Sequence, residues 1–206
     1  LEEGVVSESD HFYCPGYIVV DGWSTPILCS ERAPGHKDQT LAKAVANSCN
    51  PAFVTIGQKL GAEKFYDYLE DFGFLDYTGI DMQGEGKGIV WPRDEFTHVD
   101  LAAASFGQRF TTTPLQLLTA ASAVINGGHL MQPYVVSRVT DAEGNVVQSG
   151  QPTEVRQVVS EQTSQRCRAI LEGVVNGGTG HNAAVEGYRI GGKTGSSQTL
   201  YGDDYT

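Results

Sequence analysis

Apolar residues recur at helical spacing through the middle of the chain and gather in short extended runs toward its ends. Leu41, Ala44 and Val45 share one face of a predicted helix with Ser48, and Asp38 is placed to cap its start. Asn50-Pro51 opens a second helix with proline at its first position. Its apolar positions are Phe53, Val54, Ile56 and Leu60, and Gly61 closes it. A third helix, about 62–72, carries Phe65, Tyr68, Leu69 and Phe72 inward. Thr113-Pro114 caps a helix over 115–125 that Asn126-Gly127-Gly128 ends. Ser160 caps another over 161–175, ended by Asn176-Gly177-Gly178.

The extended segments are shorter. Residues 11–29 read as a hairpin or short strands, with Tyr17-Ile18-Val19-Val20 running into the turn dipeptide Asp21-Gly22. Segments 134–140 and 145–148 flank Asp141-Ala142-Glu143-Gly144 as a surface hairpin. A final strand is expected after Tyr188-Arg189-Ile190, and 74–99 reads as irregular. Helices in the middle and strands near the ends argue α+β rather than alternating βαβ units.

The 206 residues suit one domain with a real hydrophobic core. A net charge of -11 repels phosphate backbones, so nucleic acid is not an expected partner. The longest mostly apolar run, Leu117 to Ile125, is interrupted by Thr119 and Ser122 and is too short to span a bilayer. Leu1-Glu2-Glu3-Gly4 reads as the end of a helix, and Gly195 to Leu200 as a strand just begun. Both ends are therefore expected to be cuts through a larger fold. Four cysteines are too sparse for a disulfide-built scaffold.

Gly187-x-x-x-x-Gly192-Lys193-Thr194 matches the phosphate-binding P-loop pattern letter for letter. That pattern works only between a buried strand and a helix, whose N-terminus holds the phosphates. Here His181 to Glu186 is not a buried strand, and Gly195-Ser196-Ser197-Gln198 are poor helix formers. Lys193-Thr194-Gly195 makes better sense as part of an edge strand that anchors a peptide C-terminus. Lysine supplies charge, the threonine hydroxyl binds a carboxylate, and glycine allows close approach. Ser48-Cys49-Asn50 lies between two predicted helices and offers a proton-relaying hydroxyl and a two-way amide. Asn50 alone would read as a helix cap.

In this order and spacing, the two tripeptides resemble the penicillin-binding protein and serine β-lactamase superfamily, whose signature is Ser-x-x-Lys, Ser-x-Asn, Lys-Thr-Gly. The resemblance extends through Gln39-Thr40-Leu41, Pro51-Ala52-Phe53, Thr78-Gly79-Ile80, Gly107-Gln108, Thr113-Pro114-Leu115-Gln116 and Gly187-Tyr188-Arg189-Ile190. It covers nearly the whole chain and is nearest to class B members of the sporulation and cell-division type. It implies a penicillin-binding protein/serine β-lactamase-like transpeptidase fold, α+β, with a helical subdomain and an antiparallel sheet. Residues 1–206 would be the central part of one such domain. No Ser in the chain has a Lys three residues later. The nucleophile helix is therefore expected upstream of Leu1, and closing strands after Thr206.

The resemblance also implies roles. The upstream Ser would attack a D-Ala-D-Ala peptidoglycan stem, and β-lactam antibiotics would mimic that donor. Ser48 would relay a proton, and Asn50 would hold a substrate amide. Lys193 and Thr194 would bind the substrate carboxylate, with Gly195 allowing approach. The backbone N–H of Ser196 would contribute to the oxyanion hole. Gln198 would line the strand's exit, a place it could equally hold as an ordinary polar strand residue. Arg109 and Phe110 read as structural, and Trp23 and Trp91 as packing residues. No cofactor and no metal are implied. The location would be the extracytoplasmic face of the membrane, through an anchor outside the chain, with a glycosyltransferase or divisome partner.

Cys14, Cys29 and Cys49 are candidates for redox chemistry. Either a Cys29–Cys49 or a Cys14–Cys29 bond is compatible with that location, and Cys167 reads as a reduced, buried thiol. A zinc site from His11, Cys14, Cys29 and His36 is disfavoured, because the spacing matches no compact ligand pattern. Two rival functions stay open: a β-lactamase or β-lactam sensor, with Glu85 or Glu95 as deacylation base, and a non-catalytic scaffold binding stems or divisome proteins.

Overall fold

Six α-helices and ten short strands arise where capping residues and glycines partition the chain, as seen in a computed structural model that describes residues 1–197 and the backbone of 200–201 and 204–205. The strands are β1 (His11–Cys14), β2 (Tyr17–Ile18), β3 (Ile27–Leu28) and β4 (Lys37–Thr40). Helices α1 (Leu41–Ala46), α2 (Asn50–Leu60), α3 (Ala62–Asp71), α4 (His98–Ala104) and α5 (Pro114–Ile125) follow. Then come β5 (His129–Gln132), β6 (Arg138–Thr140), β7 (Val146–Ser149), β8 (Thr153–Gln157), α6 (Glu161–Gly177), β9 (Leu200–Tyr201) and β10 (Asp204–Tyr205). The strands form five antiparallel pairs. The class is α+β, with helices alongside antiparallel sheet.

Two compact units divide the chain. The first comprises Leu1–Phe65, Trp91–Phe110 and Arg166–Thr206. In it β1 pairs with β4, so that Phe12 faces Gln39 and Cys14 faces Lys37. The alternation of β1 buries Phe12 and Cys14 and exposes His11 and Tyr13. These join Val6, Cys29, Leu41, Ala44, Cys49 and Ala52 in one apolar cluster. A second cluster gathers Val20, Ile27, Val54 and Ala102, with Trp23 packed against it. Helix α2 also lies close to the end of α4. A Cβ at Gly57 would overlap the Ser105 hydroxyl, so glycine is what permits that approach.

The cap of α1 differs from expectation. Thr40, not Asp38, is its N-cap and accepts from the Lys43 N–H. Asp38 is held in β4, where the ladder sets its backbone and His11 binds its carboxylate at 2.6 Å. Helix α4 starts at the end of the segment read as irregular, 74–99, and continues where no element is expected. Thr97 and Asp100 form its capping box, and Asp100 also pairs with Arg109 at 3.2 Å. Trp91 is 46% exposed and so is not a packing residue in the way Trp23 is.

The second unit comprises Tyr66–Val90 and Thr111–Gln165. Thr113 and Gln116 form the capping box of α5, with proline in the first turn. The Gln116 side chain goes further. Its Oε1 also accepts from the Gly88 N–H at 2.9 Å, and its Nε2 donates to the Asp76 carbonyl at 2.7 Å and the Phe74 carbonyl at 3.2 Å. One buried amide thereby organises the glycine-rich segment between α3 and α4. Strands β5 and β8 pair with a bulge at Leu130/Met131. Strands β6 and β7 form the expected hairpin, its turn tied by Asp141 accepting from the Asn145 N–H at 2.7 Å.

Candidate active site

The candidate site lies wholly within the first unit and begins where α1 stops. The C-cap of α1 is Asn47. The next residue, Ser48, turns the chain with φ of 51°. That left-handed conformation is uncommon for a residue with a Cβ, and it persists only where surrounding contacts impose it. Those contacts are the Ser48 N–H donating to Val45 at 3.0 Å and the Cys49 N–H donating to Ala44 at 3.0 Å. Cys49 then serves as N-cap of α2 and is fully buried. Asn50 therefore is not the cap. It occupies the first turn of α2, and its Nδ2 donates to the Leu28 carbonyl at 2.9 Å.

Lys193, 145 residues further on, donates its Nζ to the Ser48 hydroxyl at 2.7 Å and to the Thr194 carbonyl at 2.9 Å. The same ammonium stands 5.9 Å from the centre of the Phe53 ring, within reach of its π face. Partial burial lowers the Lys193 pKa from its ordinary 10.5. Thr194 shares a hydrogen bond of 3.0 Å with the Thr179 hydroxyl. Thr179 in turn fastens the segment to α1, through its hydroxyl and its N–H, both donating to the Ala46 carbonyl at 3.0 Å. Gly195 and Ser196 follow as exposed residues, and Ser197 donates to the Gln108 carboxamide at 3.3 Å.

The structure thus brings together Ser48, Lys193 and Thr194, with Asn50 two residues on from Ser48 and its amide on Leu28, and adds Thr179, which sequence reasoning missed. Its signal was Thr179-Gly180, directly after Asn176-Gly177-Gly178, which reads as a helix ending. A Cβ at Gly178 would press on the Ala46 carbonyl that Thr179 binds. One expectation needs correction. Lys193-Thr194-Gly195 is not in a strand: no strand among the described residues supplies a ladder partner for it. Gln198 lies outside the described residues. The P-loop pattern also lacks its elements, since 181–183 is a 3-10 turn and 195–197 is not helical.

Directly behind Ser48 and Asn50 sits a second group of reactive atoms. Cys14, Cys29, Cys49 and His36 place their ligand atoms within 4.8 Å of one another. All four cysteines of the chain are free thiols, and the sulfurs of Cys29 and Cys49 are 3.9 Å apart. Cys29 ionises before Cys49: the hydrogen bond between the two thiols holds Cys29 down and pushes Cys49 up, and burial raises Cys49 further. His11 stands apart from this group, engaged by Asp38. Glu85 is consumed elsewhere. Burial raises its pKa, but donation from the Thr78 N–H and hydroxyl, both at 2.6 Å, outweighs that and leaves it lowered.

Comparison with known proteins gives these residues a context. The profile of the penicillin binding protein transpeptidase domain matches residues 1–206. Stage V sporulation protein D of Bacillus subtilis is 45% identical over 207 residues, covering 100% of this chain and 32% of its own length. The peptidoglycan D,D-transpeptidase MrdA of Acinetobacter baumannii is 26% identical, covering 96% of this chain and 31% of its own. Among solved structures, penicillin binding protein 3 of Mycobacterium tuberculosis complexed with ampicillin superposes with a TM-score of 0.88 at 30% identity, over 97% of this chain and 45% of that one. The chain therefore spans about a third of the length of these curated relatives.

Proposed function

The chain belongs to the penicillin-binding protein transpeptidase family, and from that premise we propose that it is the relay and anion-binding part of a peptidoglycan D,D-transpeptidase. Such an enzyme takes the acyl group of a D-Ala-D-Ala stem onto a serine, releases D-Ala and passes the acyl group to an amine of a second stem. The serine belongs to a Ser-x-x-Lys segment that this chain does not contain. The protein acts outside the cytoplasmic membrane, in wall synthesis of the sporulation or division type, with a glycosyltransferase or divisome partner.

One observation carries this reading: the Lys193 ammonium donates to the Ser48 hydroxyl at 2.7 Å. A hydroxyl whose oxygen is occupied by a cationic donor directs its own proton outward, toward a leaving group. The Lys193 charge holds the substrate carboxylate, which Thr194 also binds. Asn50 orients a substrate amide beside them, and the Ser196 N–H supports the oxyanion. Retention of the acyl group on β-lactams follows from the same contacts, since the penicillin carboxylate occupies the place of the stem C-terminus.

Replacement of Ser48 by Ala in the full-length protein is expected to slow acylation by a fluorescent penicillin ~10²–10³-fold, the range for loss of a positioned proton donor. Its thermal unfolding should be little changed. An acylation rate equal to that of the parent protein would remove Ser48 from the relay.

A further inference from the structure

Four side chains from three separate stretches of chain converge beneath the Ser48–Asn50 turn. Cys14 ends β1, Cys29 follows β3, His36 precedes β4 and Cys49 caps α2. The backbone holds them there independently of any ligand. The Cys29 N–H donates to the Gly16 carbonyl at 2.9 Å. The loop carrying His36 is pressed onto Cys14-Pro15-Gly16 so closely that a Cβ at Gly35 would overlap the Cys14 carbonyl and the Gly16 nitrogen. Cys14 and Cys49 are 0% exposed and Cys29 2%.

The distances discriminate between the two kinds of chemistry open to buried cysteines. A disulfide needs its sulfurs at about 2.05 Å. Two sulfurs sharing one tetrahedral metal, with Zn–S near 2.3 Å and Zn–N near 2.0 Å, stand about 3.8 Å apart, and sulfur and nitrogen about 3.5 Å apart. Here Cys29 Sγ is 3.9 Å from Cys49 Sγ and 3.4 Å from His36 Nδ1, with all four ligand atoms inside 4.8 Å. Three sulfurs and one imidazole nitrogen are a closed structural zinc set, with no position left for water. Soft thiolates disfavour magnesium and calcium. The ligands come from distant positions, which is why sequence spacing disfavoured a metal here; Cys49 completes the set in place of His11.

We propose that Cys14, Cys29, Cys49 and His36 bind one zinc ion, coordinated through three thiolates and His36 Nδ1. Each ligating thiol releases its proton to solvent as it binds. The ion pins the residue between Ser48 and Asn50 to β1 and to the 29–36 loop, so the turn that carries the relay is held by a metal as well as by backbone contacts. The site stands on its own geometry, and metal content is read separately from acylation.

The test uses the full-length protein purified under reducing, chelator-free conditions. Elemental analysis is expected to find about one equivalent of zinc, falling at least ~10-fold in Cys14→Ser and in His36→Ala. Because these variants could fail to fold, the parent protein provides a second reading. Alkylation followed by peptide mass spectrometry should find Cys14, Cys29 and Cys49 protected until a zinc chelator is added, with Cys167 reacting equally in both states. Cobalt exchanged into the parent protein should give the thiolate charge-transfer and visible bands of a tetrahedral site. Zinc-free protein with freely alkylated cysteines, zinc retained by folded variants, or a Cys29–Cys49 disulfide in a parallel preparation made without reductant would each overturn the proposal.

Discussion

Each unit is organised around a polar centre, and the two are built on opposite plans. Gln116, in the second unit, is 1% exposed. Its carboxamide accepts from the N–H groups of Gly88 and Thr113 and donates to Asp76 and Phe74, so donor and acceptor alike are matched within the protein. The Ser48 turn, in the first unit, keeps a left-handed backbone and a half-exposed hydroxyl. Lys193 beside it spends two of its three N–H bonds on Ser48 and Thr194 among the described residues. A closed set of hydrogen bonds belongs to architecture. Strain with donors to spare belongs to a place that another molecule completes.

That contrast can be broken most forcefully at Lys193. In the full-length protein, Lys193→Ala should reduce penicillin acylation by ~10³-fold, about 4 kcal/mol, while denaturant unfolding moves little. A large stability loss with normal acylation would make this centre architectural too. Gln116→Leu should behave oppositely. It strands the backbone groups of Gly88, Thr113, Asp76 and Phe74, and a loss of ~3 kcal/mol in chemical denaturation is expected. The acylation rate of the molecules that remain folded should be unaltered. An unfolding midpoint matching the parent's would show that water replaces the amide without penalty.

Proton linkage at Lys193 sharpens the contrast on a smaller scale. Burial lowers its pKa below the ordinary 10.5. Between the lowered value and 10.5 the unfolded chain binds the proton more tightly, so stability contributed by this group rises with pH through that window. Carboxylate capture needs the ammonium and falls across the same window. Acylation and stability should thus run in opposite directions as pH climbs, and Lys193→Arg should abolish both slopes. Parallel slopes would refute the assignment. The smallest stability change is expected of Ser48→Gly, which relieves the left-handed backbone and should raise stability by ~1 kcal/mol while removing the relay. A destabilised Ser48→Gly would mean that the hydroxyl, not the backbone, carries the structural load.

Local chemistry made α2, α5 and α6 legible from sequence. Pro51, Thr113-Pro114 and Ser160 are signals that act within one turn, and the helices start where those residues place them. Helix α4 escaped because Leu101-Ala102-Ala103-Ala104 has no amphipathic period, although Thr97-x-x-Asp100 was a readable capping box. Tyr66 was likewise missed as the buried residue of α3 beside Leu69, since three aromatic side chains within four positions leave its inward face ambiguous. The pairing of β1 with β4 reached across more than twenty residues, β2 and β3 among them, and no local signal foretold it. At the site, Ser48, Asn50 and Lys193 were legible as motifs, because their chemistry fixes residue type. Thr179 was not, because its work is done through the Ala46 carbonyl and the Thr194 hydroxyl, both distant in sequence.

Cys49 stands between two residues of the candidate site, yet its own side chain is sealed in the core. The motif therefore has two sides, and selection reads each separately. Under the proposed function, a drug pressing on the outward side would be evaded only by altering residues that also serve the substrate. The apolar neighbours of Cys49 on the inward side carry no such restriction. Small changes of volume at Ala44, Ala52 or Leu41, which share the cluster with Cys49, would tilt Ser48 and Asn50 by fractions of an ångström without changing either. Under the proposed function, alleles that resist a β-lactam are thus to be sought one layer beneath the surface that carries Ser48 and Asn50.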